Sequence, residues 1–446
     1  MTAARVAIVG GGISGLMAAM HVAEAGGYPV VFEAAPHPGG RAKTRQLAGF
    51  SMNQGPHALY VGGAFLEALT RFGVRPTGGR PDLAKGHALW GDSIFPFPLA
   101  SDGAYPEPID RESGAALARF YARVLADPDI GTGLSLAQVL APLPPIARMA
   151  VEALLRLTTY VHATAELDGK AALHQLRVGL AGVIYVDGGW STLVDGLTAA
   201  AQAAGIPVRI REKAFRAQAS GGCHAIDLGN GTTETFGAVV LALPPSSAAA
   251  MLPTSDTLAA RSRHATPVRV VALDLALSEL PRRDVNFALG MDEPVYLSVH
   301  SSVSELAPVG GALVHIARYL APNEQPSRLH MERLEALADL LQPGWRKLVL
   351  HEQRLSGAVV AHDFARVGRS AERNSHAVDD TPGVFVAGDW VGTGSMLADA
   401  CASSAAAAAH GALAYASSRL PRPRATRSHK PAGGLVSTRA VEAAEA

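Results

Sequence analysis

Hydrophobic positions in this chain fall into short β-branched runs set between glycines and into longer stretches at helical spacing. Residues 6–9 (Val6, Ala7, Ile8 and Val9) are a short apolar run that suits a buried parallel strand. It meets Gly10, Gly11 and Gly12, with Gly15 three positions on. Ile13, Leu16, Met17, Met20 and Val22 then follow a helical pattern up to a turn at Gly26-Gly27, and residues 30–32 form a second strand ending on Glu33. Strand, glycines, helix, strand and acid fall in order within about thirty residues, the size of a βαβ unit.

The pattern continues less regularly. Residues 50–53 suit a short strand. Residues 95–98 and 106–108 read as irregular strand and loop, and the pattern is helical over 112–125 and 134–157. Pro142, Pro144 and Pro145 interrupt the second stretch, so a fresh helix is expected from Ile146. Its stripe of Ile146, Met149, Ala150, Ala153, Leu154 and Leu157 faces either a core or a lipophilic channel resting on a membrane surface. Gly188-Gly189 predicts a turn, and Ser191 is placed to cap a helix holding Leu193, Val194 and Leu197. Strands are expected at 208–210 and 214–217, in a hairpin (225–228 and 232–236) around Gly229-Asn230-Gly231, and at 238–243. Strands at 268–275, 295–299, 313–319 and 345–355, with a helix at 332–341, suit a mixed sheet. A buried strand at 384–387 runs into Gly388 and Asp389, and Ser395-Met396-Leu397 opens an Ala-rich helix to about Tyr415. Residues 418–446 carry little core-forming periodicity and read as a disordered basic tail.

The glycines at the first turn have separate jobs. Gly10 allows the tight turn, Gly12 lets a pyrophosphate approach the backbone, and Gly15 lets the helix pack close to the sheet. The helix start at Ile13 and Ser14 offers free N–H groups with the helix dipole behind them, which favours an anion. Glu33, with Ala34 beside it, is placed to accept from both ribose hydroxyls and to repel a 2′-phosphate. A lone GxGxxG is weak evidence in a chain with 46 glycines, and the ordered context gives it weight. Gly40 and Arg41 follow where the chain returns toward the dinucleotide, Arg41 as a partner for phosphate.

With 446 residues, two interleaved domains are expected. Apolar residues at 48% and charged residues at 17% suit a large interior, and zero net charge offers no electrostatic case for nucleic acid. Two distant cysteines, Cys223 and Cys401, argue against a disulfide scaffold and a cysteine-rich metal site. The histidines show no metal-ligand spacing. No secretory pattern opens the chain and no apolar run reaches the roughly 18–20 residues of a membrane span, so a cytoplasmic protein is expected.

Five segments carry a resemblance: the first βαβ unit, GGRAKT from Gly39, GPHAL from Gly55, YVDGGWSTL from Tyr185, and VFVAGDW from Val384. Together with VVLALPP from Val239 they resemble the flavin amine oxidase and phytoene (carotenoid) desaturase superfamily. The resemblance implies an α/β fold, with a glutathione-reductase-type Rossmann FAD-binding domain and an interleaved α+β substrate domain of mixed sheet plus helices. It places the FAD-binding domain at 1–59, 186–245 and 380–417 and the substrate domain at 60–185 and 246–379. It puts the Gly55-Pro56-His57 segment beside the isoalloxazine, the Ala214 backbone at the adenine side, Gly388 and Asp389 at the ribitol, and the N–H groups at Met396 and Leu397 near N1 and O2. His57 and Trp390 are candidates for handling a proton or walling the reaction site.

The departures from the family's patterns are informative. No lysine matches the one that many amine oxidases place near N5, and Met396 and Ala398 occupy the stretch where an aromatic and a glutamate often stand. No Ser-Gly-Gly-Cys motif is present, so noncovalent FAD is expected. These absences favour carbon–carbon desaturation of an apolar, isoprenoid- or polyene-like substrate. Flavin amine oxidation of a C–N bond with O2 and a non-catalytic FAD-binding role are the alternatives. No second GxGxxG follows a strand, so oxygen or a quinone is the expected electron acceptor. Peripheral membrane contact and oligomeric state are left open by the sequence.

Overall fold

A computed structural model of the chain describes residues 3–82, 86–97, 108–220, 222–369, 373–392 and 394–419. The first strand, Arg5–Val9, sits at the centre of a parallel five-stranded sheet. The spatial order is Val208–Arg209, Tyr28–Phe32, Arg5–Val9, Ala238–Leu241 and Val384–Val386. All five were expected from the sequence; strands buried on both faces read as continuous apolar runs, and only the edge strand Val208–Arg209 has no fully buried residue. On one face the helix Ile13–Glu24 packs Leu16, Met17 and Val22 against Ala405, Ala408, Ala409 and Ala412 of the C-terminal helix Leu397–Ser418. The alanine run thus serves close packing of two helices. The other face carries the antiparallel sheet Ala214–Ser220, Cys223–Leu228 and Thr233–Phe236.

A second, seven-stranded sheet follows the order Val349–Ala361, Val268–Leu277, Ala312–Tyr319, Val295–Val299, Phe287–Gly290, His87–Trp90 and Ser93–Pro96. It is mixed: Phe287–Gly290 and His87–Trp90 run parallel and the other neighbours antiparallel. Period-2 alternation sorts its faces. Val268, Val270 and Ala272 join a core with the helices Arg111–Ala126, Pro145–Thr159 and Gly169–Leu180. Val271, Leu273, Leu275 and Leu277 face the helix Arg328–Leu341.

Several local expectations change. Residues 345–355 are not one strand: Gly344 takes φ 87°, Trp345–Lys347 form a 3-10 turn, and the strand starts at Val349. Ser191 does not cap its own helix. Its Oγ accepts from Thr44 N–H at 2.7 Å, while Thr44 Oγ1 accepts from Ser191 N–H at 2.9 Å. The hydrophobic cores also cross the expected divisions at 60 and 246. Phe65 and Leu69 of the helix Ala64–Arg71 belong to the first sheet's core, as do Ala248, Met251 and Leu258 of the helices Pro245–Met251 and Asp256–His264. The expected irregular segment around 98–107 and the tail from 420 onward lie outside the described residues. Among the described residues, no helix is long and apolar enough to cross a membrane.

Candidate active site

The first turn is built by two kinds of glycine constraint. Gly10 has φ 104°, and a Cβ there would lie 2.4 Å from the Ala242 carbonyl oxygen. A Cβ on Gly15 would lie 1.8 Å from the Gly10 carbonyl oxygen. At Gly12, by contrast, a Cβ would meet nothing within 4 Å. Gly12 is the N-cap of the first helix, with no side chain bonded to the helix start. It opens on a cavity of about 300 Å³ that is also lined by Gly10, Ile13, Ser14, Glu33, Gly40 and Asp389. That open cradle at a helix N-terminus fits a pyrophosphate.

Two of the expected ligand groups are held by the protein itself. Glu33 Oε2 accepts from Gly11 N–H and Oε1 from Ala35 N–H, both at 2.7 Å. Each carboxylate oxygen retains a lone pair, so the ribose role is compatible with this anchoring. Arg41 bonds the Asp389 carboxylate and the Val360 carbonyl. Asp389 is buried, and His362 Nδ1 donates to its other oxygen at 3.0 Å. Burial opposes ionisation of Asp389, but Arg41 and His362 outweigh it and hold the carboxyl well below the usual carboxylate range. Arg373 donates to the Asp389 carbonyl at 3.0 Å and to Asp363 Oδ2 at 3.1 Å, which ties the segment after the last strand in place.

Ile13, Arg41, Ala42, Asp389 and Cys401 also line a second cavity, of about 340 Å³, so the two spaces adjoin. This one lies between the two sheets. Val270 and Leu355 of the second sheet form one wall, and Gly55, Pro56 and His57 form another. Its aromatic groups are Tyr60, Tyr160 and Trp190. Tyr160 OH donates to the Pro56 carbonyl at 3.2 Å, and the His57 ring meets Trp190 edge-on at 4.9 Å. Tyr160 and Leu397, both on this cavity, are non-glycine residues at positive φ (61° and 55°). Strained backbone gathered at one site is a mark of function.

His57 Nδ1 lies 3.0 Å from the Gly55 carbonyl and must donate to it, which leaves Nε2 as an acceptor. Burial pushes His57 down to about 4, so the ring is neutral around pH 7. Among the described lining residues there is no lysine, and Asp389, paired with Arg41, is the one carboxylate.

The structure brings most of the sequence-predicted residues to these two cavities. Gly10, Gly12, Ile13, Ser14, Glu33, Gly40, Arg41, Gly388 and Asp389 line the first, and Gly55, Pro56, His57 and Leu397 the second. Gly15 lies beneath the first turn. Ala34 is exposed and Ala214 sits in the core beside the parallel sheet; neither lines either of these two cavities. Met396 is the buried N-cap of the C-terminal helix and joins the second sheet's core. Trp390 does not wall the apolar cavity: its Nε1 donates to the Leu243 carbonyl at 3.0 Å, which holds the indole at the nucleotide end. The aromatic wall is Trp190 instead, which follows the double-glycine turn Gly188-Gly189 in the already noted YVDGGW segment. Tyr160 and His362 lie outside any matched motif and carried no local signal.

Comparison with known proteins agrees with this geometry. No curated protein matches the chain significantly by sequence. An oxidoreductase from Methanosarcina mazei superposes with a TM-score of 0.70 at 17% identity, covering 90% of this chain and 99% of the other. Putrescine oxidase bound to putrescine gives 0.70 at 15%, covering 92% and 99%. A CLA-producing fatty acid isomerase from P. acnes gives 0.67 at 13%, covering 91% and 98%. At these identities the likeness speaks for the fold. Residues 13–410 match the family of flavin-containing amine oxidoreductases. The chain belongs to that family and is an FAD-dependent oxidoreductase.

Proposed function

We propose that the protein removes two hydrogens from adjacent carbons of an apolar, isoprenoid- or polyene-like substrate. The observation that carries this reading is the cavity between the sheets, whose described lining residues offer no free carboxylate to a charged amine. The first helix N-terminus, Gly12 and Gly40 would hold the FAD pyrophosphate, Glu33 the adenosine ribose, and Asp389 with Arg41 the ribitol end. When bound, the flavin accepts a hydride. Loss of hydride makes the neighbouring C–H strongly acidic, so a base as weak as the neutral His57 suffices to take that proton at Nε2. Trp190, Tyr60 and Tyr160 line the cavity and would stabilise positive charge developing beside a ring face. The apolar walls exclude water from the reacting carbons.

Noncovalent FAD is part of the proposal. Cys401 is the cavity's cysteine, and burial pushes its thiol up to about 12, far from the thiolate that attacks a flavin. Oxygen or a quinone is the proposed acceptor, with the five-stranded sheet and its helices as the proposed FAD-binding part and the seven-stranded sheet and its helices as the proposed substrate part. The same aromatic walls favour a second reading, oxidation of an amine held by cation–π contact. Parallel incubations of FAD-loaded protein, one with an isoprenoid polyene and a quinone and one with an amine and oxygen, separate the two. The first reading expects a product lacking two hydrogens, seen by mass spectrometry. Unchanged polyene alongside an amine converted to its carbonyl compound overturns it.

A further inference from the structure

Behind His57 the second sheet buries a polar cluster that the reaction above does not use. His315 Nδ1 lies 2.7 Å from Asp274 Oδ1, and neither side chain has any exposed surface. A carboxylate only accepts, so Nδ1 carries the proton. Gln353 Nε2 donates to Asp274 Oδ2 at 2.8 Å and to the Asn53 carbonyl at 2.9 Å. Asn53 Oδ1 in turn accepts from Trp190 N–H at 2.9 Å and from Thr44 Oγ1 at 2.7 Å. Asn53 leads directly into Gln54-Gly55-Pro56-His57. The His315 ring lies 4.4 Å from that of His300, which stacks on Tyr185 at 3.7 Å. His315 Nε2 and His300 Nδ1 have no hydrogen-bond partner among the described residues.

A buried carboxylate and imidazole cost desolvation that apolar residues of the same volume avoid. Here they sit where the two walls of the apolar cavity, His57 and Trp190, are both tied to Asn53. We propose that Asp274, Gln353 and His315 are positioning residues for His57 and Trp190, the strut from Asp274 through Gln353 to the Asn53 carbonyl holding segment 53–57 against the cavity. The inference rests on the reading of His57 as the proton acceptor. The charged or titratable groups acting on His57 are His315, Arg41 and Asp274, with His300 beside them, and Asp274 is the carboxylate among them. The strut keeps the Nδ1–H of His57 on the Gly55 carbonyl, so that Nε2 is the atom left to receive a proton.

The test is histidine side-chain nitrogen NMR on the full, FAD-loaded chain, with His57→Gln used only to assign the signal. In the parent protein His57 is expected as a single Nδ1–H tautomer, neutral across pH 5–8, with the Trp190 amide exchanging at least about 100-fold slower than in an open chain. In Asp274→Asn and Gln353→Leu the single tautomer is lost and Trp190 exchange quickens at least about tenfold. An unchanged His57 signal in both variants, with only a lowered melting temperature, overturns the proposal and leaves a structural role. Should neither variant fold, the parent decides: an Nε2–H tautomer or a freely exchanging Trp190 amide overturns the proposal, and the opposite pair of results supports it. A flavin that no polyene reduces counts against the proposed reaction and leaves these signals untouched.

Discussion

Gly12 and Gly15 stand three residues apart and are glycines for different reasons. Gly15 is forced by the protein's own backbone, since its Cβ would overlap the Gly10 carbonyl. Gly12 has ordinary backbone (φ −76°) and open space before it, so its constraint comes from what binds there. Gly12→Val is therefore expected to leave the melting temperature of FAD-free protein within about 2 °C and to weaken FAD binding by about 100-fold, or roughly 3 kcal/mol. Gly15→Val, by overpacking, is expected to destabilise the FAD-free protein by about 1–3 kcal/mol or more. Thermal melts with and without FAD, beside a binding titration, check both. Arg41 and Asp389 form the other residue-scale test. Arg41→Met leaves a buried carboxylate with His362 as its remaining side-chain partner, which is expected to cost about 3 kcal/mol in denaturant unfolding of the FAD-free protein. The double change Arg41→Met with Asp389→Leu is expected to recover part of that loss.

At the scale of elements, the C-terminal helix carries a buried acid in its first turn. Asp399 Oδ1 accepts from Phe65 N–H at 2.8 Å and so caps the helix Ala64–Arg71, while Oδ2 has no partner among the described residues. Burial pushes this carboxyl up to about 6, against the pull of the Phe65 N–H. The folded state thus binds the proton more tightly than the unfolded chain. Its contribution is fully favourable below about pH 4 and is lost as pH rises through about 6. Asp399→Asn is expected to be more stable than the parent by about 1–3 kcal/mol at pH 7, with the advantage gone by about pH 4. Urea unfolding at both pH values checks it.

Element boundaries were legible where an apolar run met a glycine, as at Val9-Gly10 and Ala387-Gly388. They were hidden where the helix lacked an apolar stripe. The helix Asp256–His264 buries little more than Leu258 and is started by the Ser255 hydroxyl on Leu258 N–H. The helix Gly169–Leu180 had a readable cap in Asp168, whose side chain accepts from Ala171 N–H, but it opens on a glycine that masks the start.

In the whole molecule, the nucleotide end of the site comes mainly from contiguous motifs with fixed spacing, and that is why the sequence showed it. The reaction end does not. Trp190, Tyr160, Leu355 and Val270 meet because the second sheet closes over the Gly55–His57 segment, and pairs such as Gln353 with Asn53 are 300 residues apart. No local period or spacing encodes such a meeting, and Asp274 and His315 read in sequence as interruptions of apolar strands. The same meeting of sheets gives the apolar cavity, on which the proposed reaction depends. Its most direct test is an anaerobic absorbance titration of the FAD-loaded protein, first with primary and secondary amines and then with isoprenoid polyenes in detergent. The account predicts that the oxidised flavin band survives the amines and bleaches with a polyene. Rapid bleaching by an amine, with polyenes inert, would contradict it.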